Sequence, residues 1–334
     1  VEPYYVRRFK NDITDADVRA NFQEREVIRN QVQLSKEEIE FLSLQQELKF
    51  KAIHAAKGGK PKDDFLFSIG IFKAFMSSPL AALESILRRI KKVDEKKHDH
   101  DSYEDNLEIL VDLKTRLEKI IDAGADSKYR CLRNALLELG WAGRRHDDRF
   151  VIFAERIDTL NYLQARLKSD FKLDDDSVAY FHGGLSDVEQ QSIIDDFGKK
   201  DSKVKILLCS DAGSQGVNLH FFCNRMFNYD IPWSLITLEQ RNGRIDRYGQ
   251  KKTPFIHYLV AESDIDGLKT DLHIIGRLIE KEQEVYSTLG DAGSVMRLYD
   301  TNKEIKRVEK AFYAQDDTFL SKPLASDNEF DYNT

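Results

Sequence analysis

From residue 128 onward, short apolar runs alternate with segments of helical periodicity, and this alternation limits the chain to a small set of folds. Phe150–Phe153, Val178–Phe181, Val204–Leu208, Arg225–Tyr229 and Phe255–Val260 are the runs. Each is four to six residues long, bounded by polar or glycine-bearing stretches, and rich in the β-branched and aromatic side chains that suit buried strands. Between them lie helical patterns at Leu160–Leu167 and from Ser186 to Phe197, the second opened by Ser186 and Glu189 in capping-box spacing. Strands separated by helices imply βαβ crossovers, which are right-handed and build a doubly wound, mostly parallel sheet. The fold class expected is therefore α/β.

The flanks read differently. Residues 1–34 end in an alternating strand, Glu26 to Leu34, and Ser35 with Glu38 forms another capping box before a helix. Residues 35–127 read as a helical insertion, with Lys91 to Asp101 a charged, solvated linker inside it. Residues 128–262 form the α/β lobe, and 263–334 supply C-terminal helices and an acidic tail. That tail region carries nine Lys and Arg against fifteen Asp and Glu, nearly all of the net charge of −7. The lobe, with twenty basic and nineteen acidic groups, is balanced and leaves room for a local basic patch. Three scattered cysteines in apolar settings suit neither a disulfide framework nor a zinc site, and point to a reducing compartment. No apolar stretch approaches the roughly 20 residues of a membrane helix. The chain starts at Val1 in mid-pattern, which reads as a piece of a longer protein.

Two stretches carry chemistry. Ser210-Asp211-Ala212-Gly213-Ser214-Gln215-Gly216-Val217-Asn218 follows an apolar strand, and ligands of doubly wound sheets bind beyond the carboxyl ends of strands. Gly213 and Gly216 let backbone approach a ligand or a neighbouring domain, although two glycines also suit an ordinary βα turn. The second stretch, Gln240 to Gln250, reads as a helical segment ending at Gly249. On it Gln240, Arg244 and Arg247 fall at i, i+4 and i+7, one helical face. Paired guanidinium groups there can stabilise charge on a transferring phosphoryl group; the plainer reading is a solvated basic face paired with Glu239 and Asp246.

Taken together and in this order, the motifs resemble the second RecA-like lobe of a superfamily 2 helicase-type ATPase of the Swi/Snf branch. Val151–Ala154 is similar to the fourth motif, Phe181-His182-Gly183-Gly184 with Phe197 to the element after it, Ser210–Leu219 to motif V and Gln240–Gln250 to motif VI. Arg7-Arg8-Phe9-Lys10-Asn11-Asp12-Ile13 resembles the segment that follows the first lobe. Leu238–Arg247 looks most like the bacterial RNA-polymerase-associated ATPases of that branch. His182, in place of an acidic residue, and Ser214-Gln215, in place of a glycine pair, depart from the pattern.

The resemblance implies a RecA-like fold and residue roles by position. Arg244 and Arg247 would be arginine fingers, with Gln240 orienting them or contacting the nucleotide. Gly213, Gly216 and Asn218 would lie by the nucleotide. Ser210, Asp211, Gly183, Gly184 and Arg156 would contact nucleic-acid backbone. It implies ATP with Mg²⁺, held mainly by a first RecA-like lobe of the same protein, double-stranded DNA as a partner, RNA polymerase as a further one, and a bacterial cytoplasmic location. It implies a DNA-dependent translocase; a partner-docking module and a strand-separating helicase are the alternatives.

Neither half of a P-loop is present. A phosphate-binding loop needs G-x-x-x-x-G-K-[ST], and at the nearest approach, Gly59-Lys60, residue 54 is His and residue 61 is Pro. Asp94-Glu95 lies in a lysine-rich run rather than at the end of an apolar strand, and His98 with His100 lacks a third metal ligand nearby. The expectation is half of a nucleotide site, with no turnover by this chain alone.

Overall fold

A computed structural model of the chain describes residues 23–47, 62–95, 102–141, 148–213, 217–263 and 300–314, with single positions between 265 and 283. The expectations for Arg7–Ile13, for Gly216, for His98 and His100 and for most of 268–289 fall outside these residues.

Six parallel strands form one sheet: β1 (Glu26–Gln33), β2 (Phe150–Phe153), β3 (Val178–Phe181), β4 (Ile206–Cys209), β5 (Arg225–Asn228) and β6 (Phe255–Glu262). Their spatial order is β1-β6-β5-β2-β4-β3. The chain runs outward from β2 to β3, returns to β4, then crosses β2 to reach β5 and β6. Strand order therefore reverses around β2, and the crevice between the ends of β4 and β5 is the topological switch point of the sheet. All four side chains of β2 are fully buried. Burying each contributes roughly 1.5–3 kcal/mol. The sheet fits the RecA-like, doubly wound class that the motif order implies.

β1 comes from the N-terminal segment, yet it pairs along its whole length with β6, from Glu26 opposite Phe255 to Gln33 opposite Glu262. Between β1 and β2 lie α1 (Lys36–Glu47), α2 (Lys62–Ser77), α3 (Pro79–Glu95), α4 (Ser102–Asp122) and α5 (Ser127–Glu138). The capping box at α1 forms as the spacing predicts: Ser35 N donates to Glu38 Oε2 at 2.7 Å and Glu38 N to Ser35 Oγ at 3.2 Å. Lys91–Glu95, read above as part of a linker, is instead the last turn of α3. Val93 explains this, since its side chain is buried at helical spacing from Ile86. Helix α3 packs on α6 (Ile157–Phe171), and α5 packs on β1 and β6. One contiguous apolar core runs from the sheet into the helices between β1 and β2, through Phe41, Phe72 and Leu113. After β3 comes α7 (Asp187–Gly198), after β5 comes α8 (Leu235–Asn242), and α9 (Thr301–Ala314) closes the described chain.

Candidate functional site

The loops leaving β3, β4 and β5 converge beyond the carboxyl end of the sheet. They border a cleft of about 640 Å³ whose lining includes Gly183, Gly184, Ser210, Asp211, Gln240 and Arg244, six of the residues singled out from sequence. Lys73 of α2, Trp233 and Ser234 before α8, and Thr301 with Ile305 of α9 are also among its lining residues. Arg156 is not part of the lining; its guanidinium donates to the Gly70 carbonyl of α2 at 3.3 Å.

The β3 and β4 loops are locked together by close backbone contact. Ser210 N donates to the Phe181 carbonyl at 3.0 Å, and Gly213 N donates to Ser210 Oγ at 3.2 Å. A Cβ on Gly213 would stand 2.6 Å from the Cα of His182, so only glycine fits there. The His182 ring accepts Gly184 N at 3.0 Å and so shapes the adjoining turn. Gly213 does allow a close approach, but its neighbour is the backbone of His182.

The second stretch folds differently from its helical reading. Helix α8 stops at Asn242, with Gly243 as its cap, and residues 243–249 form successive turns. Competing donors explain the stop. The Arg244 carbonyl accepts Leu219 N at 3.1 Å, and the buried Gln250 amide donates to the carbonyls of Ile245 and Cys223 at 3.2 and 3.1 Å. Carbonyls that would have continued the helix are thus taken from outside it. Gln240, Arg244 and Arg247 consequently do not share one helical face. Gln240 is on the helix, and the two arginines are on the turns beyond it.

Those turns bring the arginines to the Val217–Leu219 segment of the preceding motif. Arg244 donates through Nη1 to the Val217 carbonyl at 3.3 Å, and Arg247 through Nη1 to Asn218 Oδ1. Among the described residues neither has a carboxylate partner, and Arg244 Nε is buried with no acceptor. Burial, and then the like charge of Arg247, pull the Arg244 guanidinium below its usual pKa. Asp246, which might have paired with them, lies 3.6 Å from Arg25 instead.

The residue that organises the switch point was not singled out from sequence. Arg241, 1% exposed, spans the crevice over the end of β2, its guanidinium 5.4 Å from the Phe153 ring centroid. It holds Asp211 after β4 through Nε at 2.5 Å and Nη2 at 2.8 Å. On the other side it donates to the Asp230 carbonyl at 2.8 Å, to Asp230 Oδ1 at 3.3 Å and to Asn228 Oδ1 at 3.3 Å. Burial alone would lower its pKa, but Asp211 and then Asp230 more than offset this and raise it. A position clue was available, because Asp211 and Asp230 each follow a strand end. Asn242 is anchored on the opposite side, donating to the Tyr258 hydroxyl at 2.7 Å and to Glu282 at 3.1 Å. At the start of α8, Glu304 of α9 accepts the Ser234 hydroxyl at 2.5 Å and Ile236 N at 3.3 Å, a carboxylate at a helix N-terminus.

Residues 127–249 match the helicase conserved C-terminal domain. Over 170 residues, 51% of its length, the chain is 30% identical to the ATP-dependent helicase YqhH of Bacillus subtilis, of which the match covers 28%. Over 130 residues, 39% of its length, it is 32% identical to the RNA polymerase-associated protein RapA of Vibrio vulnificus, of which the match covers 13%. The chain therefore matches under a third of the length of either relative. Among solved structures, the Hef helicase domain of Pyrococcus furiosus superposes with a TM-score of 0.48 at 17% identity, covering 75% of this chain and 58% of that one. The family match spans Ser210–Asn218, the second stretch up to Gly249, and the loops after β3, β4 and β5. Among the described residues no helix is long and apolar enough to cross a membrane.

Proposed function

We propose that this helicase C-terminal domain is the second ATPase lobe of a DNA-dependent, Swi/Snf-like translocase. One observation carries the reading: Arg244 and Arg247 stand beside each other, bonded only to a carbonyl and an amide oxygen, with no carboxylate among the described residues to neutralise them. Two like charges held together at a cost imply an anion from outside the lobe. The γ-phosphate of ATP fits that requirement. The nucleotide supplies the phosphoryl group; Arg244 and Arg247 bind and neutralise its developing charge, and Asn218 holds Arg247 in place. Gln240, on the cleft wall, orients the pair. Gly213 and Gly216 belong to the loop that lies by the nucleotide. Mg²⁺ is assigned to a first RecA-like lobe.

The side of the cleft bordered by the β3 and β4 loops serves the nucleic acid. Ser210 and the backbone amides of Gly183 and Gly184 suit phosphate oxygens, contacts that position without reading sequence. Asp211 acts there through its bonds to Arg241, and Arg156 acts by fixing α2 rather than by touching DNA. Opening and closing of two such lobes would convert hydrolysis into movement along a duplex.

The test is Arg247→Ala in the protein that carries this chain. Turnover should fall by roughly 10³–10⁵, as for other arginine fingers, while nucleotide affinity stays within a few-fold. Near wild-type turnover, or DNA-stimulated turnover by the 334-residue chain alone, would overturn the assignment.

A further inference from the structure

The insertion and the cleft are joined by an unbroken line of buried polar groups. Ser77 and Ser78, 2% and 1% exposed, form the elbow between α2 and α3. Ser77 Oγ donates to Asp230 Oδ2 at 2.6 Å and lies 2.7 Å from Thr159 Oγ1. Ser78 Oγ lies 2.8 Å from the same threonine oxygen and accepts Ala81 N at 3.1 Å. Each hydroxyl has a single proton, which fixes the direction of the line. Ser77 gives its proton to Asp230, so it must accept from Thr159; Thr159 must then accept from Ser78. Every hydroxyl points the same way, from the first turn of α3 to the carboxylate.

Asp230 is the junction. Its two oxygens receive Glu155 N at 3.0 and 2.9 Å, Arg241 Nη2 at 3.3 Å and the Ser77 hydroxyl. Those contacts use all the acceptor positions of a carboxylate. Arg241 continues the line to Asp211, beside Ser210 on the cleft wall. Aligned hydrogen bonds polarise one another, and a low-dielectric interior makes each link costly to leave unmade. A shift of the α2–α3 elbow by about an ångström would remove the Ser77 bond, unbalance Asp230 and turn the Arg241 fork that holds Asp211.

We propose that Ser77, Thr159, Asp230 and Arg241 are positioning residues through which the helical insertion sets the Ser210–Gly213 loop, and with it the affinity of the cleft for nucleic-acid backbone. The proposal rests on the reading of that loop as a nucleic-acid contact. It gives the insertion a task beyond packing: whatever moves its elbow alters the grip of the lobe on DNA.

The experiment uses the full-length protein with Ser77→Ala and Thr159→Val, which remove links without touching the cleft, and Thr159→Ser, which retains the hydroxyl. Ser85→Ala is the control, since its hydroxyl bonds only to Ala81 O within α3. The DNA concentration for half-maximal ATP turnover should rise about five-fold or more in the first two variants, the lower range of coupling between linked sites. The nucleotide KM should stay within two-fold, a split that general destabilisation does not produce. Thr159→Ser and Ser85→Ala should match wild type. In parallel, amide exchange at Ser210 and Gly213 should quicken in Ser77→Ala and Thr159→Val alone. Wild-type turnover indifferent to DNA would sink the functional reading, and the exchange rates would still decide whether the line positions the loop. Unchanged exchange at Ser210 and Gly213, with or without stimulation, overturns the proposal.

Discussion

Gly213→Ala should be among the most costly single-methyl additions in the lobe. The added carbon would meet the Cα, C and N of His182 at 2.6, 2.8 and 2.9 Å. Carbon atoms rest at about 3.5–4.0 Å, so His182 must retreat by most of an ångström. It is not free to do so. Its carbonyl accepts Leu185 N at 3.2 Å, its ring accepts Gly184 N, and the preceding carbonyl of Phe181 accepts Ser210 N. Overpacking of this kind costs about 1–3 kcal/mol, and weakening two of the tethers adds roughly 0.5–1.5 kcal/mol each. About 3 kcal/mol is the expected loss, read from urea unfolding of the 334-residue chain against wild type. Two neighbours calibrate the argument. At Gly183 the new carbon would stand 3.0 Å from the Ala212 side chain, with backbone no closer than 3.5 Å, and at Gly184 it would meet the His182 ring at 3.0 Å, which can swing at the expense of one hydrogen bond. The expected order of cost is Gly213, then Gly183, then Gly184. A Gly213→Ala protein within about 0.5 kcal/mol of wild type, or an inverted order, would refute the claim that the two loops are joined through backbone contact.

Arg241→Met should cost about 3 kcal/mol in the same titration, the low end for breaking a buried ion pair, because the Asp211 side chain is 26% exposed and can regain water; a loss under about 1 kcal/mol would mean that the carboxylates do not depend on it. His257 makes stability depend on pH. Burial, and then Arg225, push its pKa down from 6.5 to about 4 in the folded chain. The unfolded chain therefore takes up the proton first. The contribution of this residue is complete above about pH 6.5 and is lost as the pH falls towards 4, by up to about 3 kcal/mol. The ring pairs with Asn30 Oδ1 at 3.0 Å, a bond that glutamine can keep. The stability difference between wild type and His257→Gln should accordingly shrink across that window, and a pH-independent difference would contradict the assignment.

Much of the sheet was legible because β2, β3 and β4 are short, wholly apolar runs between helical patterns. Both capping boxes lie where Ser35 and Ser186 indicate. The error at Gln240–Gln250 has a specific cause. Local periodicity describes bonds a segment makes with itself, whereas Leu219 N and the Gln250 side chain bring partners from elsewhere in the fold. Similarly, Lys91–Glu95 looks like a solvated run until Val93 is seen to be buried. Arg241 was invisible for the opposite reason. Beside Arg244 and Arg247 it is one arginine among three, and only the strand order, which brings Asp211 and Asp230 to either side of β2, separates the one bound to carboxylates from the two that have none among the described residues.

The pairing of β1 with β6 bears on how the chain is made. Residues 26–33 find their partners at 255–262, so among the described strands the first to be synthesised pairs only with the last. During synthesis at about 5–20 residues per second, its peptide groups wait ten seconds or more for a mate. Such distant closure is also slow in its own right. In that interval the insertion can bury its own helices against each other, while the lobe proper lacks an edge. Nascent chains halted before residue 255 should hold a folded insertion beside an open sheet, the species most exposed to strand exchange with a second copy.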